Sequence, residues 1–183
     1  MPSSYISGPV KVGKASSKVA GELKLPVKGR MRERIMIGRR EWLSLPDFGV
    51  DIISAKVDTG AYTSSLHAEE IEVIEREGAE WVRFVTSSHH GEVVQCEVPL
   101  VQRKRIKSSN GKARERLIVK TVARAVGGFE WEVYFSLADR SVMKCPLLLG
   151  RKALSGYFVV DTQASHLFGN TKNLTGKPHH RRS

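Results

Sequence analysis

The sequence predicts an all-β fold, a sandwich or a barrel, on three observations. Short runs rich in β-branched and aromatic residues recur about every 8–12 residues. Turn residues punctuate them, Asn110-Gly111 and Gly127-Gly128 most clearly. Only one short stretch, starting at Arg151, has helical character, and Gly156 stops it. With 183 residues, 40% hydrophobic and 27% charged, the chain has the size and composition of one soluble domain with tails. No run approaches the roughly 18 apolar residues of a membrane helix, and the N-terminus lacks the apolar segment of a secretory signal. Two cysteines, Cys96 and Cys145, cannot build a disulfide framework, so a cytoplasmic, reducing location is expected.

The elements follow in order. Residues 35–38 are apolar and lead through Arg39-Arg40-Glu41-Trp42-Leu43 to Pro46. Residues 51–57 are β-branched, partly alternate, and end at Asp58-Thr59-Gly60-Ala61. Residues 66–74 predict one further strand with Ile71 and Val73 on one face. Residues 81–85 alternate more clearly, and 92–101 carry Val93, Val94, Val98 and Val101. A basic stretch from Arg103 to Lys107 runs into Ser108-Ser109-Asn110-Gly111. Asn-Gly is a strong hairpin signal, because both central residues of a type I′ turn need positive φ. Residues 117–122 and 129–137 predict two more strands, the second with Trp131, Val133 and Phe135 on one face. Leu147-Leu148-Leu149-Gly150 is a compact apolar run, residues 151–154 a short helix, and 157–161 a last strand. No internal repeat stands out.

The net charge of +11 is unevenly placed. Residues 1–34 carry net +6 and residues 169–183 net +4, whereas 35–168 is nearly neutral at +1. The organisation expected is therefore a disordered basic tail (1–34), a globular domain (35–168) and a second basic tail (169–183). The tails hold too little apolar surface to offset the entropy of ordering. They suit weak contact with RNA, ribosome or an acidic partner through charge neutralisation. A solubilising role is the stronger reading, since no aromatic residues interleave the lysines to stack on bases.

Two features carry chemistry together: Val57-Asp58-Thr59-Gly60-Ala61 at the end of an apolar strand, and Leu147-Leu148-Leu149-Gly150-Arg151 some 90 residues later. Alone, Asp-Thr-Gly is a common turn sequence. Paired with the apolar-apolar-Gly run before a helix, it resembles the retropepsin-like aspartic peptidases over about residues 37–167. Lys56 to Ala61, Leu66-His67-Ala68, Ile106 to Gly111 and Leu148 to Arg151 match, in order, a bacterial subgroup labelled ATP-dependent zinc protease. The resemblance implies an acid-protease fold: a retropepsin-like closed β-barrel with one short C-terminal helix, acting as a homodimer.

An aspartic-peptidase site needs two carboxylates sharing a proton, one as base toward water and one as acid toward the peptide carbonyl. Asp161-Thr162-Gln163 lacks the glycine and lies at the wrong end to serve as the second copy. The expected site therefore joins Asp58 of two subunits across a two-fold axis. The resemblance implies catalytic roles for Asp58, Thr59 and Gly60: Thr59 stiffens the paired loops, and Gly60 lets substrate backbone approach. It implies substrate contacts at Ala61, Tyr62 and Arg151, and at Ser109, Asn110 and Gly111 on a flap. Basic residues beside that flap, Arg103, Lys104, Arg105, Lys107 and Lys112, would favour an acidic peptide or protein substrate, or they form an ordinary solvated hairpin. Viral relatives carry Asp where this chain has Tyr62, paired with the Arg retained here as Arg151, so Arg151 needs another partner. No His-Glu-x-x-His, Cys-x-x-Cys or Walker-type loop is present, so no metal ligand or cofactor is assigned. The alternative to general proteolysis is a non-proteolytic or narrowly specific binding or processing module acting on glutamate-rich or ribosomal partners. The resemblance links such proteins to an ATP-grasp glutamate ligase and a ribosomal protein.

Overall fold

The structure, a computed structural model, describes residues 22–27, 30–107 and 113–171. Strands β1 (Glu22–Val27), β2 (Arg30–Gly38) and β3 (Arg40–Leu45) come first, then a 3₁₀ turn at Pro46–Phe48. They are followed by β4 (Val50–Asp58), β5 (Ser64–His67), β6 (Glu69–Arg76), β7 (Ala79–Ser87) and β8 (Val93–Pro99). The chain continues with β9 (Gln102–Lys107), β10 (Ala113–Ala125), β11 (Glu130–Ala138), β12 (Leu147–Gly150), a single-turn helix α1 (Arg151–Leu154) and β13 (Phe158–Asp161).

The order β11-β5-β12-β4-β3-β10, closed by β10 pairing with β11, makes a six-stranded barrel, with β9 added outside β10. Closure removes free edges from the core sheet. The inward residues are those the alternation selects: Ile53, Ala55, Phe135, Leu137, Leu147 and Leu149 are fully or almost fully buried. Burying residues of this size stabilises the barrel by roughly 1.5–3 kcal/mol each.

Three expectations change. Residues 66–74 form not one strand but two: β5 stays in the barrel, and β6 leaves it for a separate sheet of order β6-β7-β8. The break lies at Ala68, Glu70 takes φ +49°, and Ile71 is exposed. Strand β3 lies where no strand was assigned. Its charged start hides the pattern, because Glu41 faces inward and is fully buried. Strands β1 and β2 lie partly within the stretch expected to be a tail, so the boundary expected at residue 34 falls inside β2. The basic hairpin does form, β9 pairing antiparallel with β10 from Lys107↔Ala113 to Gln102↔Ile118. Its expected turn, 108–111, lies outside the described residues, as do 1–21 and 172–183.

Two corners of the molecule share one construction. At the first, β4 ends on Asp58, in parallel register with Gly150 of β12. At the second, β13 ends on Asp161, in parallel register with Gly38 of β2. Each aspartate turns the chain with one oxygen. Asp58 Oδ1 accepts the N–H groups of Gly60 (3.0 Å) and Ala61 (3.1 Å). Asp161 Oδ1 accepts those of Gln163 (2.8 Å) and Ala164 (3.3 Å). Each facing glycine must be a glycine: a Cβ on Gly150 would lie 2.7 Å from the Thr63 carbonyl carbon, and one on Gly38 2.9 Å from the Ala164 oxygen. An arginine follows each glycine, its N–H bonded to the new turn: Arg151 to Ala61 O, Arg39 to Ala164 O.

Candidate active site

At the first corner, loop 59–63 is pinned from several sides. Arg151 Nη1 donates to the carbonyls of Thr59 and Gly60, both at 2.8 Å. The partner that Arg151 needed is thus the loop backbone itself. Gly150 N–H donates to the buried Ser64 hydroxyl at 3.0 Å. The apolar run Leu148-Leu149-Gly150 therefore sits beside the loop in β-register, with Leu149 opposite Val57. Gly60 leaves the carboxylate uncrowded, since a Cβ there would lie 3.1 Å from Asp58 Oδ1.

This leaves Asp58 with Oδ1 fixed and Oδ2 turned outward, 3.8 Å from Lys56 Nζ, its side chain about 30% exposed. A carboxylate oriented by backbone donors yet reachable by solvent is suited to proton transfer. Asp58 lines a cavity of about 400 Å³ with Arg40, Lys56, Arg140, Lys144 and Leu148. Four cations thus surround one carboxylate. Burial pulls the Arg140 guanidinium below its ordinary value, while Cys145 and the charge of Asp58 oppose that shift. The sequence reading missed Arg40, Arg140 and Lys144, which come from β3 and the β11–β12 loop. No local signal marks them as partners of Asp58.

The other predicted residues divide into two groups. Thr59 and Tyr62 border an open groove of about 640 Å³ with Leu154, Phe158 and Val160. Tyr62 is 58% exposed, its ring between the Lys104 ammonium (5.7 Å) and the Arg151 guanidinium (5.9 Å). That contact joins the base of the hairpin to loop 59–63. Ala61 contributes its backbone to the Asp58 turn and to Arg151. Ser109, Asn110 and Gly111 lie outside the described residues.

Among the described residues, one group has the spacing of metal ligands: His67, Glu69 and Asp139, with ligand atoms within 4.8 Å of one another. It does not fit a structural zinc. His67 Nδ1 already accepts the Arg140 N–H at 3.0 Å, both carboxylates are exposed, and neither Cys96 nor Cys145 belongs to the group. Both thiols are free and buried, and burial pushes Cys96 up to about 11. No helix among the described residues is long and apolar enough to cross a membrane.

A family model described as "Retropepsin-like aspartic endopeptidase RimB" matches residues 36–169. Relatives named "Probable alpha-L-glutamate ligase" align over most of the chain. The one from Shewanella pealeana is 39% identical over 144 residues, and the one from Desulfotalea psychrophila is 34% identical over 146. These cover 77% and 78% of this chain but 31% of each relative, so the chain spans about a third of their length. A crystal structure of a Legionella pneumophila protein of unknown function matches with TM-score 0.62 and 28% identity, covering 73% of this chain and 97% of that one.

Proposed function

The chain belongs to the RimB-like family of retropepsin-like proteins, and from that membership we propose that it is an aspartic endopeptidase with a site made of Asp58 from two subunits. The observation that carries this reading is the state of Asp58: one oxygen tied to two backbone N–H groups, the other open to solvent at the end of a rigid strand. The groove bordered by Thr59, Leu154, Phe158 and Val160 is the face on which the second subunit would sit. In the dimer, the two carboxylates hold one proton between them and titrate as a pair. The ionised one takes a proton from a water, which attacks the peptide carbonyl. The protonated one gives its proton to the carbonyl oxygen. The first then passes the proton taken from water to the amide nitrogen, while the second takes one back from a hydroxyl of the tetrahedral intermediate. The intermediate collapses to acid and amine, and the shared proton is restored.

Arg40, Lys56, Arg140 and Lys144 around the cavity support an acidic peptide or protein as substrate. A second reading, a non-proteolytic or narrowly specific binding or processing module working beside a glutamate ligase, draws support from the names of the relatives. They carry a ligase name and are about three times as long as the region they share with this chain. Both readings use the same site and differ in whether, and how broadly, it cleaves what it binds.

The test is cleavage of an unfolded protein and of a glutamate-rich peptide by wild type and Asp58→Asn, with the solution mass of each. Loss of cleavage by a variant that remains dimeric is expected. Full activity in Asp58→Asn, or cleavage by a stable monomer, would remove the proposal.

A further inference from the structure

Behind the cavity at Asp58 lies a second one of about 350 Å³. Arg140, Met143 and Lys144 line both, so the loop between β11 and β12 is the partition. The second cavity adds Ser54, Ser87, Ser141 and His89, with the Ser54 hydroxyl 3.5 Å from Cys145 Sγ, and among the described residues no carboxylate lines it. Its central group is underused. Among the described residues, Arg140 Nε is buried with no hydrogen-bond partner, and Nη2 reaches the Cys145 carbonyl at 3.4 Å. Burial also holds the guanidinium below its ordinary value, against the opposing effect of Cys145 and the charge of Asp58. The neighbouring acids stand outside: Glu92 takes the Ser88 hydroxyl at 3.2 Å, and Glu69 and Asp139 flank His67 at 3.6 and 3.9 Å. All three are exposed to solvent.

Two cations and several serine residues on one lining complement a compact oxyanion with acceptors on several sides. We infer that this second cavity binds an oxyanion of the phosphate class, held by Arg140, Lys144 and the serine hydroxyls. Because both cations also face Asp58, the bound anion competes for them with an acidic residue in the first cavity. Binding stands on the cavity alone; the competition rests on the proposed peptidase and its acidic substrate.

The test titrates the full chain with inorganic phosphate against chloride at matched ionic strength, since basic tails attract any polyanion in a salt-dependent way. The readout is the NMR signals of the His67 and His89 rings. Saturable shifts with phosphate and none with chloride are expected. Ser87→Ala, which lies outside the Asp58 cavity, should weaken phosphate about tenfold, the scale of one hydrogen bond to a charged group. Its cleavage without phosphate should be unchanged. Arg140→Gln should abolish the shifts. In wild type, phosphate should raise KM for an acidic peptide without lowering kcat, and Ser87→Ala should relieve this. Absence of saturable shifts, or shifts that persist in both variants, would overturn the site. Saturable binding that leaves KM unmoved would overturn the competition. A chain that cleaves nothing still leaves the NMR readout decisive.

Discussion

The Asp58 and Asp161 corners differ in what surrounds the same turn. In both, an aspartate oxygen caps two backbone N–H groups, a glycine sits opposite in parallel register, and an arginine follows that glycine. At the first corner, Gly60 leaves the carboxylate uncovered, a small hydroxyl (Ser64) takes the facing N–H, and four cations gather round. At the second, Gln163 stands in place of that glycine. The facing N–H goes to Glu41, whose two oxygens also accept Leu167 and Phe168 N–H at 3.0 and 3.3 Å. One corner is built to present a carboxylate, the other to hold down the end of the domain. A strand end with Asp-Thr is thus a structural device, and chemistry follows from what is left open around it.

The sharpest way to break the contrast is charge removal. Asp58→Asn should lower cleavage on the order of 10³-fold, whereas Asp161→Asn should leave kcat within about twofold, read in one peptide assay. Stability should show the reverse order at the acceptors. Glu41→Leu leaves three backbone N–H groups unmatched, two buried and one part-buried, and should cost about 3 kcal/mol or more in urea unfolding, against about 1 kcal/mol for Ser64→Ala. Gly150→Ala and Gly38→Ala should each cost about 1–3 kcal/mol, because a Cβ would press on backbone in both. Clearly unequal values would mean that the corners are less alike than their contacts.

Arg151→Lys, which loses a fork onto two carbonyls, should destabilise by about 1 kcal/mol, and Arg39→Lys, bonded through Nε to the Ser165 hydroxyl, by less. The pH response should separate the corners last. Burial raises Glu41 above its ordinary 4.5, against the lowering effects of its backbone donors and His166. The folded state therefore holds a proton that the unfolded chain has released. The stabilisation this brings is complete below about pH 4.5 and fades as pH rises through the raised value. Glu41→Gln should flatten that slope in denaturation curves taken across the acid range.

How much of this was legible varied with how local the signal was. Most strands, the short helix, the glycine after the triple leucine and Asp58 at a strand end all follow from period and turn chemistry. Strand β3 did not, because a buried carboxylate among charged neighbours reads as surface. The likeness of the two corners escaped for a related reason. Gly38-Arg39 and Gly150-Arg151 are separated by more than a hundred residues, and only parallel pairing sets each against its aspartate. The cationic cavity draws on Arg40, Lys56, Arg140 and Lys144, single charges from three segments that look solvated one at a time.

Glu41 also sets a lower limit on how short a working piece of this protein can be. Two of its three backbone partners come from residues 167 and 168, far along the chain from β3. A fragment ending at residue 166 would keep every barrel strand yet strand a sealed acid with a single donor. Deletion series from the C-terminus should therefore lose soluble product abruptly between 168 and 166 rather than by degrees.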